Sequence, residues 1–383
     1  MAVYDIGFVL EQSLGHVTHT KNLQVNVPLD PQIRAHWGLI AFDPSGIAGK
    51  IPIYNSNWSV RAGLRARRYL SVLTRHTPLD AVFFHTQVPA ILAQGWLRKL
   101  PAIVSLDATP LQYDELGKFY RHETGPAWVE KVKWRLNRDC YAQARKLVVW
   151  AEWTKRGLVK DYQVPEHKIT VIPPGVTVSE WKRPNPRGDH AGPVKILFVG
   201  ADLERKGGLN LIDAFNAIRR SGDELHLVTK TPVETEPGVI VHNDMEPNSQ
   251  RLKSLYHASD IFALPTFGDC LPMVLSEAGA AGMAIVSTEV AAIPEIVRHG
   301  ETGLTVPPGN TRALADAIRQ LVDDSELRQR LGQQATVHVA RNYDATDNAR
   351  RLIDLVNDHR LKPVASGYGS KPDRSALRRT IRP

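Results

Sequence analysis

Residues 265–295, PTFGDCLPMVLSEAGAAGMAIVSTEVAAIPE, are the stretch that decides the fold. The apolar run just before it, residues 261–264, predicts a short buried strand. Pro272 suits the first turn of a helix, because a backbone N–H is not needed there. Residues 284–287 predict a second strand. A strand, a loop, a helix and a strand in this order are typical of a parallel sheet, which binds ligands at the carboxyl ends of its strands.

The loop and the helix of this stretch carry groups that suit a phosphorylated, hydroxyl-rich ligand. The free N–H groups and the positive dipole end of a helix N-terminus favour a diphosphate, and Gly268 lets the backbone approach it closely. Asp269 and Glu277 are carboxylates with seven residues between them, one on the loop and one in the helix. They would hold two different hydroxyl-bearing parts of one ligand. A nucleotide-sugar has both parts, a ribose and a hexose.

In this order of residues the stretch resembles the donor-binding signature of the retaining, nucleotide-sugar-dependent glycosyltransferases of the GT-B fold. The resemblance is to the large family with a Glu–seven residues–Glu motif, family 4 or group 1. It implies that Asp269 contacts the donor sugar and that Glu277 contacts the ribose. The other donor-site positions that it implies are Gly268, Leu271, Pro272, Met273 and Val274.

Two features depart from the pattern of that family. Asp269 stands where a glutamate is usual, so its carboxylate has a shorter reach. Ala291 and Ala292 stand where two glycines usually precede Ile-Pro-Glu, which leaves the backbone less free.

A second signature precedes the first. Residues 195–200, KILFVG, predict the buried strand that begins a new domain, and the glycine pair at 207–208 predicts the start of a helix. Arg205 and Lys206 are adjacent cations at that start, which predicts a phosphate site. In the resembled family the lysine contacts the donor diphosphate, and Lys206 matches it. The frequent arginine after the strand glycine is Ala201 here, so Arg205 is the candidate for the second charge.

The resemblance also places the base and the acceptor. His242 and Asn243 follow a predicted strand and are expected beside the nucleobase. Gly15, His16 and His85 are expected on the acceptor side, at the ends of strands of the first domain. Capping of the first helix is the alternative role for His16.

Asp107 ends the strand predicted at residues 102–106. The resembled family often carries a histidine here that faces the donor sugar. A carboxylate in this place would accept a hydrogen bond from a sugar hydroxyl or steady a developing positive charge, and the sequence therefore makes Asp107 a candidate catalytic residue. The alternative is that Asp107 caps the following helix.

The chain has the length and composition of a two-domain α/β protein. At 383 residues with 43% hydrophobic content it can form two cores. We expect two Rossmann-like domains that face each other across a cleft, with a C-terminal helix crossing back to the first domain. The predicted segments are an acceptor-side domain at 1–176, a linker at 177–193, a donor-binding domain at 194–343, the returning helix at 344–362 and a basic disordered tail at 363–383.

Composition also bounds the location and the chemistry. No apolar run reaches the length of a membrane span, and the N-terminus lacks the basic region of a secretory signal. The two cysteines, Cys140 and Cys270, are far apart, which indicates free thiols in a reducing cytoplasm. No metal-ligand spacing and no Asp-x-Asp motif occur. We therefore expect a metal-independent protein without a cofactor other than its donor.

A net charge of +8 leaves the kind of partner open. The predicted helix at 58–76 carries Arg61, Arg65, Arg68 and Arg75 near one face. One interpretation is peripheral contact with the inner face of the membrane, and the other is an ordinary packed helix with a basic outer surface. The charge alone would also suit a nucleic acid, but no recognition motif accompanies it, so no nucleic-acid partner is expected.

The leading hypothesis is a glycosyltransferase of the hexosyltransferase type. It would move a sugar from a UDP- or GDP-sugar, with retention, to a saccharide, a lipid-linked glycan or a small metabolite. One alternative is a nucleotide-sugar epimerase on the same fold. The other is a non-catalytic nucleotide-sugar-binding protein, favoured by the departures at Asp107, Ala201 and residues 291–292.

Overall fold

Two parallel sheets form the frame of the molecule. The computed structural model describes residues 3–13, 15–42, 57–117, 125–184, 192–234 and 236–360. Within these residues each sheet has six strands, and every strand pair is parallel. This confirms the predicted α/β architecture with two Rossmann-like lobes. The predicted basic tail, residues 363–383, lies outside the described residues.

The first lobe contains the sheet of order β2-β1-β3-β4-β5-β6. Its strands β3 and β4 are buried along their whole length, as strands covered by helices on both faces must be. The strands are β1 (Tyr4–Gln12), β2 (Ile33–Ala41), β3 (Ala81–His85), β4 (Ala102–Leu106), β5 (Lys146–Val149) and β6 (Ile169–Val171). The helices are α1 (His16–Asn26), α2 (Trp58–Leu73), α3 (Gln87–Ala90), α4 (Gln94–Lys99), α5 (Pro110–Glu115), α6 (Ala127–Gln143) and α7 (Glu152–Tyr162).

The second lobe contains the sheet of order β12-β11-β10-β7-β8-β9. The strands are β7 (Lys195–Val199), β8 (Glu224–Val228), β9 (Val239–His242), β10 (Ile261–Leu264), β11 (Ala284–Thr288) and β12 (Leu304–Val306). The helices between the first lobe and the C-terminus are α8 (Val178–Trp181), α9 (Gly208–Ile218), α10 (Gln250–Ala258), α11 (Met273–Ala280), α12 (Ile293–Ile296), α13 (Thr311–Asp323) and α14 (Ser325–Asn342). The predicted strand–loop–helix–strand unit at residues 261–288 is therefore confirmed.

Each sheet has a point where its strand order reverses. In the first sheet it lies between β1 and β3, and in the second it lies between β7 and β10. Open parallel sheets bind ligands outside the carboxyl ends of the strands at such points. The segments that the sequence singles out lie at the ends of these four strands: residues 12–16 and 85–86 in one lobe, and 201–208 and 265–272 in the other.

In the part of the chain that the structure describes, there are two passages between the lobes. The first is the predicted linker, which contains the short helix α8. Its Trp181 is buried against Tyr256 in the second lobe, with ring centroids 5.0 Å apart. Residues 185–191 of that linker lie outside the described part. The second is at Asp344, which bridges to Val176.

A last helix, α15 (Ala345–Arg360), follows Asp344 and packs on the first lobe. Its Leu352 and Val356 join the apolar cluster formed by strands β1 and β3 and helix α1. Among the helices in the described ranges, none has both the length and the apolar character that crossing a membrane requires.

Candidate active site between the two lobes

Two loops of the second lobe meet beside the reversal point of its sheet. One follows β7 and carries Arg205, Lys206 and Gly207, and the other follows β10 and begins at Pro265. Gly207 has φ of +73°, and a Cβ atom placed on it would lie 2.0 Å from the Pro265 carbonyl oxygen. Only glycine fits this close approach. The glycine therefore brings the cations of one loop against the donor-signature loop.

Both predicted cations contact the donor-signature loop. Lys206 Nζ forms an ion pair with the Asp269 carboxylate. Arg205 donates from Nη1 to the Gly268 carbonyl oxygen at 2.7 Å, and the same nitrogen lies 3.9 Å from Asp269 Oδ1. The side chains of Arg205 and Lys206 are only 13% and 14% exposed, so little water screens their charge. The structure thus brings together four residues that sequence analysis assigned to the donor site.

Helix α11 begins next to these cations. Pro272 is its N-cap residue, one position earlier than the first-turn place expected from the sequence, and Met273 is the first helical residue. No side chain caps this helix start, so its first N–H groups and dipole remain available to an anion. Leu271 is buried, whereas Met273 and Val274 are half-buried at the start of the helix.

Glu277 lies one turn into α11 and is buried. Tyr256, on α10, donates its hydroxyl hydrogen to Glu277 Oε2 at 2.8 Å. Burial raises the pKa of Glu277 to about 7, and the Tyr256 hydrogen bond and the charge of Lys253 offset part of that rise. Sequence analysis missed Tyr256, because a tyrosine within an amphipathic helix is typical of an ordinary core residue.

His242 and Asn243 lie at the same edge of the second sheet. His242 Nε2 is 3.1 Å from His226 Nδ1, with the two rings stacked, and burial lowers the pKa of His242. Asn243 donates from Nδ2 to the Thr229 carbonyl oxygen at 3.0 Å. Both residues thus lie at the carboxyl end of β9. Their contact with a nucleobase stays a prediction.

The first lobe contributes a buried carboxylate that sequence analysis missed. Glu11, near the end of β1, accepts hydrogen bonds from Trp58 Nε1 at 2.7 Å, Ser13 Oγ at 2.9 Å and Thr86 Oγ1 at 2.5 Å. Its only sequence signal is a charged residue at the carboxyl end of an apolar strand. The hydrogen bonds tie the loops after β1 and β3 together at the reversal point of the first sheet.

His16 faces the cleft and is not the cap of α1. Gly15 occupies the N-cap position, without a side-chain cap. His16 Nδ1 lies 2.8 Å from His85 Nε2, and His16 Nε2 lies 3.9 Å from Asp107 Oδ2. The capping role considered for His16 is therefore wrong, and the ring instead bridges from His85 toward Asp107.

His85 lies behind His16 rather than on the surface of the cleft. It is fully buried and stacks on Trp150 with ring centroids 5.1 Å apart. Burial, and then the charges of His16 and His19, lower its pKa well below the usual value. Sequence analysis placed His85 on the acceptor side as a residue of the cleft. In the structure its neutral ring instead lies behind His16 and orients the His16 ring.

Asp107 does not cap the helix that follows it. The N-cap of α5 is Thr109, whose side chain forms a capping box with Gln112. The Asp107 carboxyl lies between the lobes, and burial raises its pKa. Cys270, in the donor-signature loop, lies near this carboxyl: burial, and then the charge of Asp107, raise the pKa of its thiol. Asp107 thus faces the second lobe, as a residue that contacts the donor would.

Groups of possible metal ligands and the two thiols complete the description of the site. Across the described ranges, no group of three or more His, Cys, Asp or Glu residues has an arrangement that could hold a metal ion. Cys140 and Cys270 are both free and buried, and burial raises the pKa of each thiol. Neither is a reactive thiolate in this arrangement.

Comparison with known proteins agrees with this geometry. Residues 29–180 match the family described as Glycosyltransferase Family 4, and residues 193–324 match the family described as Glycosyl transferases group 1. The two matches together cover both lobes. The cations and both signature carboxylates fall within the second match.

Curated relatives include D-inositol 3-phosphate glycosyltransferases of corynebacteria. The protein of Corynebacterium glutamicum is 31% identical over 239 residues, which is 55% of this chain and 57% of the relative. That of Corynebacterium efficiens is 29% identical over 243 residues, with 56% and 57% covered. The chain thus spans little more than half the length of these relatives.

Solved structures show the same fold. Sucrose-phosphate synthase from Thermosynechococcus elongatus has a TM-score of 0.72 at 15% identity, with 93% of this chain and 98% of that chain covered. Anabaena HepE in complex with UDP-glucose has a TM-score of 0.66 at 13% identity, with 92% and 99% covered. With two facing parallel lobes, a signature of cations and carboxylates at their contact, and family matches in each lobe, the chain belongs to the group 1, family 4 glycosyltransferases of the GT-B fold.

Proposed function

We propose that this protein transfers a hexose from a UDP- or GDP-sugar to an acceptor hydroxyl, with retention of the anomeric configuration. The observation that carries the proposal is the convergence of Arg205, Lys206 and Asp269 beside the uncapped start of α11. Cations and helix N–H groups at one place form a diphosphate site, and the carboxylate next to them suits sugar hydroxyls.

The donor diphosphate would bind to Lys206, Arg205 and the start of α11. Its negative charges compete with Asp269 for Lys206 Nζ, so binding would free the Asp269 carboxylate to accept hydrogen bonds from the hexose. Charge that develops on the leaving diphosphate would then be stabilised by groups already in place. Because these cations fill the role that a divalent ion has in other transferases, we propose that turnover needs no metal.

Glu277 would bind the ribose of the donor. An ionised carboxylate accepts hydrogen bonds from two adjacent hydroxyls, and the Tyr256 hydroxyl holds one of its oxygens in place. His242 and Asn243 would lie near the base, at the edge of the sheet next to the ribose.

The acceptor would enter from the first lobe, past Gly15 and His16. His16 and Asp107 face the donor-signature loop there, 3.9 Å apart. Asp107 would either accept a hydrogen bond from a sugar hydroxyl or steady the positive charge of an oxocarbenium-like sugar. His16, held by neutral His85, would bind the acceptor hydroxyl.

The relatives supply the first compounds to try. A solved HepE structure contains UDP-glucose, which supports a nucleotide-sugar donor. Curated relatives are named D-inositol 3-phosphate glycosyltransferases, so a phosphorylated cyclitol is the first small-metabolite acceptor, ahead of saccharides and lipid-linked glycans.

Thermal-shift measurements with UDP-glucose, UDP-N-acetylglucosamine and GDP-mannose test the donor. A ligand that binds only the native state raises the melting temperature. One of these compounds should do so for the wild type and for the control Glu301→Ala, but not for Glu277→Ala. Transfer with D-inositol 3-phosphate is then followed by mass spectrometry in the presence of EDTA. Equal shifts for both variants would disprove the role of Glu277, and conversion of the donor without any acceptor would indicate an epimerase.

For location we propose the cytoplasm, with peripheral contact at the inner face of the membrane through α2. The basic face of this helix differs from the expected one, because Arg61 is buried and its guanidinium lies 5.6 Å from the Trp58 ring centroid. Arg67 and Arg68 on α2, and Arg75 just after it, are exposed. Sedimentation with vesicles containing phosphatidylglycerol tests the contact: charge reversal at these three positions should abolish co-sedimentation, and equal binding by the variant would refute the proposal.

A further inference from the structure

Glu295, in α12 of the second lobe, reaches across to the first lobe. Its carboxylate accepts a hydrogen bond from the backbone N–H of Glu152 at 2.8 Å and another from that of Trp153 at 2.7 Å. These are the first two residues of α7. Arg156, one turn further, places a guanidinium nitrogen 4.0 Å from the same carboxylate. The contact joins positions more than 140 residues apart and lies next to the cleft.

Helix α7 has no cap from its own lobe. Its N-cap residue is Ala151, which has no side-chain oxygen. The first N–H groups of a helix have no partner within the helix, and the positive end of its dipole favours an anion. Glu295 supplies both the hydrogen-bond acceptors and the charge. The first lobe thus leaves a helix start that the second lobe completes.

The start of α7 is in turn connected to Asp107. Thr154 donates its hydroxyl hydrogen to the Asp107 carbonyl oxygen at 2.5 Å, and the Trp153 carbonyl oxygen accepts a hydrogen bond from Gln112 Nε2 at 2.7 Å. The position of α7 therefore sets the position of the strand end that carries the Asp107 carboxylate.

A second route runs from Asp107 back to α12 through the donor-signature loop. Burial, and then the neighbouring Asp107 carboxylate, raise the pKa of the Cys270 thiol, so the two groups lie near each other. The Cys270 carbonyl oxygen accepts the Ala292 N–H at 3.2 Å, and α12 begins at the next residue. Hydrogen bonds thus lead from Glu295 through α7 to Asp107, and another leads from Cys270 back to α12. The Asp107 carboxylate and the Cys270 thiol are neighbours between the two lobes.

We propose that Glu295 is a positioning residue for sugar transfer, which caps α7 to hold the lobes closed and Asp107 against the donor-signature loop. The effect of Glu295 on the rate of sugar transfer rests on the proposed function. Its role in holding the two lobes together does not. Glu295 does not contact Lys206, Asp269 or Glu277, so it would act on the transfer step and not on donor binding.

Thiol labelling tests closure without any ligand. Cys270 is 6% exposed at the lobe contact, and Cys140 is 0% exposed in the core of the first lobe. With Ellman's reagent on the native full-length protein, Glu295→Ala should label Cys270 at least tenfold faster than the wild type, with Cys140 unreactive. The control Glu301→Ala removes a nearby exposed glutamate that pairs with Arg298 in the same lobe, and it should match the wild type. An unchanged rate for Glu295→Ala would overturn the proposal.

A second variant separates closure from helix capping alone. Ala151→Ser places a hydroxyl at the N-cap of α7, so the helix can be capped from within its own lobe. In the Glu295→Ala background this change should restore slow hydrogen exchange at the start of α7 while Cys270 still labels fast. If slow Cys270 labelling also returns, Glu295 serves only as a cap and the proposal is wrong.

Steady-state kinetics test the effect on transfer, with the nucleotide-sugar that stabilises the wild type as the probe. Glu295→Ala should lower kcat at least tenfold with little change in the donor KM, and Glu295→Gln should lie between this variant and the wild type. A raised donor KM with unchanged kcat would contradict the proposed role. If the wild type itself transfers no sugar, the proposed function fails, and labelling of Cys270 still decides whether Glu295 closes the lobes.

Discussion

Gly207 lies directly against Pro265, and the Pro265 carbonyl oxygen occupies the place that a Cβ atom on Gly207 would need. This contact joins the loop of Lys206 to the donor-signature loop. A side-chain rotation could not make room for a Cβ atom here, because the atom that would clash belongs to the backbone.

Gly207→Ala should therefore reduce the free energy of unfolding by about 3 kcal/mol, from the left-handed backbone and the steric overlap together. Gly300→Ala is the matched control: its φ is +72°, but no atom lies within 4 Å of the added Cβ. The control should lose only about 1 kcal/mol. Urea unfolding of both variants measures the difference, and equal losses would contradict the close contact.

Lys206→Met should lower kcat/KM for transfer about 100-fold, because a charge-assisted contact with the diphosphate is worth roughly 2–3 kcal/mol. The fold should persist, since methionine keeps the apolar part of the side chain. Lys230→Met is the control, an exposed lysine in the loop after β8. Activity should be near wild type in the control. A loss below threefold in Lys206→Met would exclude Lys206 from the donor site.

Glu277 should make the protein less stable as the pH rises. Its pKa in the folded state is about 7, against 4.5 in the unfolded chain, so the folded state binds more protons between these values. Stability then falls across the window from pH 4.5 to 7, by an amount on the order of 3 kcal/mol.

Glu277→Gln should remove this fall in folding stability with rising pH. The variant should gain stability relative to the wild type between pH 5 and 8 while losing donor binding, which is the usual cost of a buried functional carboxyl. Thermal unfolding at both pH values measures the change. A difference between the two proteins that does not vary with pH would show that Glu277 is not protonated in this range.

His19 should make the protein less stable as the pH falls, which is the opposite pH dependence to that of Glu277. Burial, and then His16, lower its pKa to about 3. Below pH 6.5 the unfolded chain gains a proton that the folded chain does not, so stability falls as the pH falls, by about 2 kcal/mol at pH 5. His19→Phe keeps an aromatic ring beside His85 and Trp150 and should reduce this loss. His76→Gln, at an exposed position, is the control. Parallel pH profiles for His19→Phe and the wild type would contradict the prediction.

Ala291 has φ of +48°, a left-handed conformation that suits glycine. Ala292 has φ of −95°. Ala291→Gly should therefore stabilise the protein by up to about 1 kcal/mol, whereas Ala292→Gly should destabilise it by about 0.5–1 kcal/mol. Denaturant midpoints of the two variants should move in opposite directions. Movement in the same direction would mean that the backbone strain at Ala291 is relieved elsewhere.

The fold and the donor side of the site were predictable from sequence because their signals are local. Apolar runs bounded by glycine and proline predicted strands such as β7 and β10. Lys206 and Asp269 lie on loops that directly follow those strands, and parallel topology brings such loops to one edge. The departure at Ala291 was also visible, although its left-handed backbone was not.

Contacts between distant segments were not predictable in this way. The partner of Glu277 is a tyrosine on another helix, and the partners of Glu295 are backbone N–H groups of the other lobe. Glu11 lies within an apolar strand, and its sequence position does not reveal the three donors that surround its carboxylate. Helix capping is the alternative prediction for both Asp107 and His16. A polar residue at the start of a helix predicts a cap, and the sequence does not show when a neighbouring residue takes that role instead.

The two chain crossings between the lobes lie side by side. Val176 donates to the Tyr343 carbonyl oxygen at 2.9 Å and accepts from the Ala345 N–H at 3.0 Å. Asn22 of α1 donates to the Gly175 carbonyl oxygen at 2.5 Å. Two crossings bonded to each other form one junction, about which we expect the lobes to pivot. Opening for substrate exchange would then leave this junction in place, and each closure would bring the same pair of surfaces together again.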